Sequence, residues 1–130
     1  MTVDGATWVI AGLQVATALG IVAYWQWWLR SDHDIPWWPP AYEEHERAFV
    51  LPDHVCALVL TVSAFLSVSG SAAGGQLALI AAGMMLFLGL IDLAYFVRHK
   101  MFAREHDGVG NALIVGWMLF LSVVLAIRFV

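Results

Sequence analysis

Residues 76–97 read QLALIAAGMMLFLGLIDLAYFV, an unbroken apolar run whose one charged side chain is Asp92. As an α-helix a run of this length rises about 33 Å, enough to cross the ~30 Å hydrocarbon core of a bilayer. Before it stands Gly70-Ser71-Ala72-Ala73-Gly74-Gly75, and before that turn a second apolar run covers 49–69. So short a connection between two such runs predicts an antiparallel helical hairpin. After it, the charged segment 98–108 leads to a third run at 109–127, and a fourth run opens the chain at 7–29.

All four runs are about 20 residues long, which suits spanning helices and not the ~10-residue alternating strands of a membrane barrel. With 62% hydrophobic and 12% charged residues, a soluble fold of this size could not hide its apolar surface. The expected fold is therefore an all-α integral membrane protein, a four-transmembrane-helix bundle forming one domain over residues 1–130. The first run has Asp4 in place of a basic n-region and is too long for an h-region, so it is expected to be a retained helix.

Between the first two spans lies an acidic, Pro-rich and Trp-rich stretch, Arg30 to Arg47. Pro39-Pro40 precedes a segment with acids in its first turn and a Glu43/Arg47 pair at i, i+4, which predicts a short interfacial helix that ends or bends at Pro52. Trp25, Trp27, Trp28, Trp37 and Trp38 crowd this boundary, as an aromatic belt or as a lid over a lipophilic ligand.

Arg30, Arg47, Arg98, Lys100 and Arg104 lie in the first and third loops, and Arg128 alone lies on the other side. This bias predicts that those loops are cytoplasmic and that both termini are on the non-cytoplasmic side. A net charge of −4 without a basic patch argues against nucleic acid as a partner. The single cysteine, Cys56, excludes an intrachain disulfide and a paired-thiol redox relay.

Small residues mark expected packing faces. Gly12, Ala16 and Gly20 recur every four residues on the first span; Ala78, Ala82, Met85 and Gly89 form a stripe on the third that continues into Asp92. On the second span Asp53, Ala57, Leu60, Ala64 and Ser67 form a comparable stripe. Asp53 and Asp92 are equally distant in sequence from the centre of the Gly-rich turn, so regular helices would set both carboxyls at one level.

Those two acids are the candidate catalytic residues, as general acid, base or partner of a cation. His54, His99, Tyr95, Asn111, Trp25 and Glu43 are the candidate ligand-binding residues around them. No two histidines stand at i, i+3 or i, i+4, so no metal site is expected, and the sequence specifies no cofactor. The plainer roles are also open: Asp53 follows Pro52 as a first-turn acid should, and Asp92 can serve as an interhelical hydrogen-bond partner.

Three functional classes follow. The first is an acidic, aromatic-rimmed pocket on the cytoplasmic side that binds a lipophilic small molecule, with isomerisation or cyclisation as the chemistry such a site could perform. The second is an accessory or assembly subunit of a larger membrane complex; the expected partners are the lipid bilayer, a lipophilic small molecule, and further copies of the chain or such a complex. The third is a proton-coupled exporter: the chain is similar in size and helix count to the small multidrug resistance transporters. Those carry an essential acid in the first helix, where this chain has Gln14 and no carboxylate.

Overall fold

The computed structural model describes residues 3–130, and its helices in chain order are α1 (Gly5–Arg30), α2 (Tyr42–Arg47), α3 (Val50–Val68), α4 (Ala72–Arg98) and α5 (Gly108–Phe129). A single 3-10 turn, Arg104–His106, precedes α5, and no strand occurs among the described residues. Four helical stretches are long and apolar enough to cross a membrane: Gly5–Arg30, Tyr42–Val68, Ala72–Arg98 and Gly108–Phe129. In the second of these the charges are concentrated in α2, so α3 is the apolar span. The chain is an all-α, multi-pass membrane protein. Its outer surface has the matching character, with Trp8, Phe65, Phe87, Leu113 and Ile127 all more than half exposed. In water such a surface would be a liability, whereas in lipid it is the normal solvent-facing side.

Two compact units emerge from the packing, residues 1–78 and 79–130. In the first, α1 pairs with α3. Asp4 starts α1, its carboxylate accepting from the backbone N–H of Thr7 at 2.9 Å and from the Thr7 hydroxyl. The buried face of α1 is Ile10, Ala11, Gln14, Thr17, Ala18, Trp25 and Trp28, one stripe at steps of three, four and seven. Against it α3 places Cys56, Ala57, Leu60, Ser63, Ala64 and Ser67. The stripe expected on α3 is therefore buried from Ala57 to Ser67, with Asp53 half-buried at its start.

On α1 the expectation fails. Gly12, Ala16 and Gly20 are exposed, and a Cβ added to Gly12 or Gly20 would meet nothing within 4 Å. The reason is polar accounting: the Gln14 amide must find a partner inside, because lipid offers none, while glycine has no side-chain group to hide. Thr17 bonds its own helix, Oγ1 donating to the Leu13 carbonyl at 2.7 Å. Gln14 crosses to α3, Nε2 donating to Ser63 Oγ at 3.0 Å, and Ser63 in turn donates to the Gly74 carbonyl at 2.7 Å.

This relay is fully buried, and Gln14 Oε1 has no hydrogen-bond partner. Ser63→Ala strands the Gln14 amide and one acceptor, so we expect a loss of about 1–3 kcal/mol. Gln14→Leu removes a half-satisfied amide while the Ser63 bond to Gly74 survives; its effect should stay within about 1 kcal/mol of zero. Unfolding in mixed SDS micelles measures both.

Helix α3 ends in a Schellman motif: Gly70 is left-handed (φ 80°), its N–H donates to the Ser67 carbonyl at 3.1 Å, and the Ser71 N–H donates to Leu66 at 2.9 Å. The reversal is thus complete by Ser71. Helix α4 starts at Ala72, four residues before the apolar run, and Gly74 and Gly75 belong to its first turns. Likewise the bend before α3 falls at Ala48 and Phe49, ahead of Pro52, which sits in the first turn where a missing N–H is harmless.

In the second unit α4 ends in the same motif without a glycine. Lys100 is left-handed (φ 56°), its N–H donating to Val97 at 3.3 Å and that of Met101 to Phe96 at 2.8 Å. Met101 is buried, and the Phe96 and Phe102 rings meet edge to face at 5.7 Å. Gly89 of α4 lies close to α5, where an added Cβ would stand 3.0 Å from Leu119 Cδ2. Ala41, at the start of α2, is a second non-glycine residue in left-handed conformation (φ 62°). Lys100→Gly and Ala41→Gly should each stabilise by about 1 kcal/mol, since the left-handed penalty exceeds the entropy glycine adds to the unfolded chain; a lower SDS midpoint in both would show that these conformations carry no strain.

Candidate functional site

Within the first unit, Trp25, Glu43, Asp53 and His54 are the sequence-derived candidates. Trp25 and Asp53 form a pair: the indole Nε1–H donates to Asp53 Oδ2 at 2.8 Å, joining α1 to α3. Trp25 is 1% exposed and packs edge-on against Trp28, with ring centroids 5.4 Å apart. His54 turns back along its own helix, its Nδ1–H donating to the Val50 carbonyl at 2.6 Å. The ring nitrogen left over, Nε2, is the one available to a ligand.

Glu43 opens the larger feature. Its Oε1 accepts from His33 Nδ1 at 3.0 Å and from Arg47 Nη2 at 3.0 Å and Nε at 3.2 Å. The other His33 nitrogen, Nε2, bonds the Trp28 carbonyl at 2.7 Å, so His33 ties the last turn of α1 to the first turn of α2. The His33 hydrogen bond, and then Arg47, hold the Glu43 carboxyl below its ordinary range, so it is ionised at neutral pH.

Aromatic rings complete the clasp. His33 lies over Trp28 at 4.0 Å, Trp38 stacks nearly parallel to Trp28 at 6.2 Å, and Tyr42 meets Trp38 edge-on at 4.8 Å. The Arg47 guanidinium stands over Trp28, 5.7 Å from the ring centre. Together they fold the Ser31–Ala41 segment back on itself and leave an open cleft of about 480 Å³. Its apolar lining is Ile35, Trp38, Pro39, Ala41 and Tyr42; its polar lining is His33, Asp34, Glu43, Glu44 and Arg47. A volume of this size suits a small organic molecule or a lipid head group.

The second unit holds Asp92, Tyr95, His99 and Asn111. Asp92 and His99 are half-buried on α4 and its C-terminal cap, and the Tyr95 and His99 rings lie 4.3 Å apart at 38°. Asn111 is occupied locally: Nδ2 donates to the Met101 carbonyl at 2.8 Å and to that of His106 at 3.3 Å. It fastens the connection between α4 and α5. The chain matches no family model, no curated protein and no solved structure.

Of the cleft residues, the sequence marks Glu43 as a ligand group, Trp38 as part of a belt or lid and His33 as one of five interfacial histidines, and nothing in it singles out Asp34, Ile35 or Tyr42. The signal available was the proline pattern. Pro36, Pro39 and Pro40 between His33 and Glu43 keep the segment from continuing α1 and bend it back, so residues ten apart meet.

Proposed function

We propose that the protein binds a lipophilic small molecule at the membrane–cytosol boundary, in the cleft formed by the Ser31–Arg47 segment. The observation that carries this reading is the combination of an aromatic wall and carboxylates around one cavity of about 480 Å³, next to two spanning helices. A molecule that partitions into the bilayer would reach such a cleft sideways. The positive residues of the first and third loops support a cytoplasmic position for it, with both termini on the opposite side.

Binding is better supported than chemistry in the cleft itself. General acid catalysis needs a carboxyl that keeps its proton at neutral pH, and Glu43 is held in the opposite state. For isomerisation or cyclisation the proton donor would be Asp92, with Tyr95 and His99 following on its stripe. An exporter is less well supported, because Gln14, on the helix where such an acid would stand, is bound into the Ser63 relay.

The outward Gly12, Ala16 and Gly20 face favours a second reading, in which α1 docks a helix of another subunit. Native mass spectrometry of the protein released from its own membranes separates the two. A small lipophilic adduct lost on Ile35→Arg, which puts a charge into the apolar lining, supports the cleft. Stoichiometric protein partners lost on Gly12→Leu/Gly20→Leu, with no adduct, would replace it by the subunit reading.

A further inference from the structure

The cleft discriminates by charge, and we infer that its ligand carries a cationic amine on an aromatic or otherwise flat apolar body. This inference rests on the cleft being the binding site, and it adds the chemical class of what enters.

Charge bookkeeping around the cavity leads to it. Three carboxylates, Asp34, Glu43 and Glu44, line the space together with the Arg47 guanidinium and the His33 ring, whose two nitrogens are both engaged by acceptor oxygens of Glu43 and Trp28. Glu43 is consumed by the clasp, since a single oxygen accepts from both His33 and Arg47. Arg47 is consumed in the same way, by Glu43 on one side and the Trp28 face on the other. An arriving anion would have to break that arrangement. The carboxylates of Asp34 and Glu44 are left over: both residues are exposed, neither forms an ion pair among the described residues, and both line the cavity. The potential inside is therefore negative, and its sign is set by groups that are free to meet a ligand.

Apolar geometry supplies the other half. Trp38 and Tyr42 meet edge to face, with centroids 4.8 Å apart, and together with Ile35 give an apolar wall facing the same cavity as the two carboxylates. Ring faces attract cations and stack on flat apolar groups. Tyr42 is 6% exposed and Trp28, behind Trp38, is 3% exposed, so the wall is anchored before any ligand arrives. A molecule with a flat body against Trp38 and an ammonium group toward Asp34 and Glu44 satisfies both halves at once. An anion satisfies only the first, and a neutral alcohol gains a hydrogen bond but no charge pairing.

Three matched probes test this: phenethylammonium, 2-phenylethanol and phenylacetate, which share one body and differ in head-group charge. Each is titrated into the protein in zwitterionic lipid nanodiscs, following the Trp38 indole N–H resonance assigned with Trp38→Phe. The expected result is saturation by the ammonium probe at a concentration about tenfold lower than by the alcohol, with the carboxylate weakest. In Asp34→Asn/Glu44→Gln that advantage should fall to about twofold or less. Both residues are exposed, and unchanged resonances for Trp25 and Trp28 would show that the fold is kept. Equal response to all three probes, or a cation preference that survives the double variant, overturns the charge assignment while leaving the cleft as a binding site. No saturable response to any probe overturns the cleft reading and this inference with it.

Discussion

Trp25→Phe destabilises the protein by about 2–3 kcal/mol, measured by SDS-titration unfolding. The substitution keeps an aromatic ring but leaves a small cavity at a site only 1% exposed, so packing accounts for part of the loss. What also disappears is the indole N–H that meets Asp53 Oδ2 at 2.8 Å, between a residue 1% exposed and a carboxyl that is itself half-buried. A buried acceptor that loses its donor forfeits the bond and keeps its desolvation penalty. Asp53→Asn retains a carbonyl oxygen for the indole and should lose only about 1 kcal/mol. In the double variant the two effects should fall short of additivity by about 1–2 kcal/mol, the signature of a shared contact. Strict additivity would show that the pair contributes nothing and would return Asp53 to the role of a first-turn acid alone.

The second large effect concerns two glycines that look unremarkable in the sequence. Gly74→Ala would put a Cβ into the backbone and hydroxyl of Ser67, and Gly108→Ala would put one into the carbonyls of Phe102 and Ala103. Backbone atoms cannot rotate out of the way, so each should destabilise by about 3 kcal/mol or more. Gly89→Ala is the contrast, because its new methyl meets the end of the Leu119 side chain at 3.0 Å and that chain can turn. It should change stability by less than about 1 kcal/mol. Gly12→Ala and Gly20→Ala meet nothing and should gain up to about 1 kcal/mol each from helix propensity. If all five behave alike in SDS unfolding, glycine has been placed for propensity and not for close approach.

Much of the fold was legible in the sequence because lipid imposes one strong rule, that a spanning run must be apolar and helical over its whole length. Residues 7–29, 49–69, 76–97 and 109–127 are recovered as helices whose ends differ by up to four residues. The largest difference is at α4, where Gly74 and Gly75 read as turn but Ala72 and Ala73 start a helix once Gly70 takes the left-handed step. Which face of α1 turns inward was not legible from small residues. It is set instead by Gln14, whose amide meets Ser63 of α3, a role not legible in the sequence.

The candidate site was less legible, because it depends on contacts between residues far apart along an irregular loop. Glu43 was recognisable from its i, i+4 pairing with Arg47, a local rule. Its meeting with His33 ten residues earlier was not, since nothing in hydropathy reports how a Pro-rich segment folds back. For Asn111 the sequence reports only an amide near a helix start, and not that its Nδ2 holds two loop carbonyls.

The Gln14–Ser63 bond also bears on how the chain enters its membrane. When α1 is threaded in first, the Gln14 amide must cross into hydrocarbon with no partner, and Ser63 is still dozens of residues from synthesis. A polar group stranded there favours a slide back toward water. The residence of α1 in the bilayer therefore depends on the arrival of α3, which supplies the acceptor and, at Asp53, a second anchor for Trp25. Insertion should proceed by helical pairs, with α1 leaving and re-entering the translocon's lateral opening until its partner emerges. A glycosylation-site reporter on chains ending after α1 or after α3 would read that as partial and complete membrane insertion.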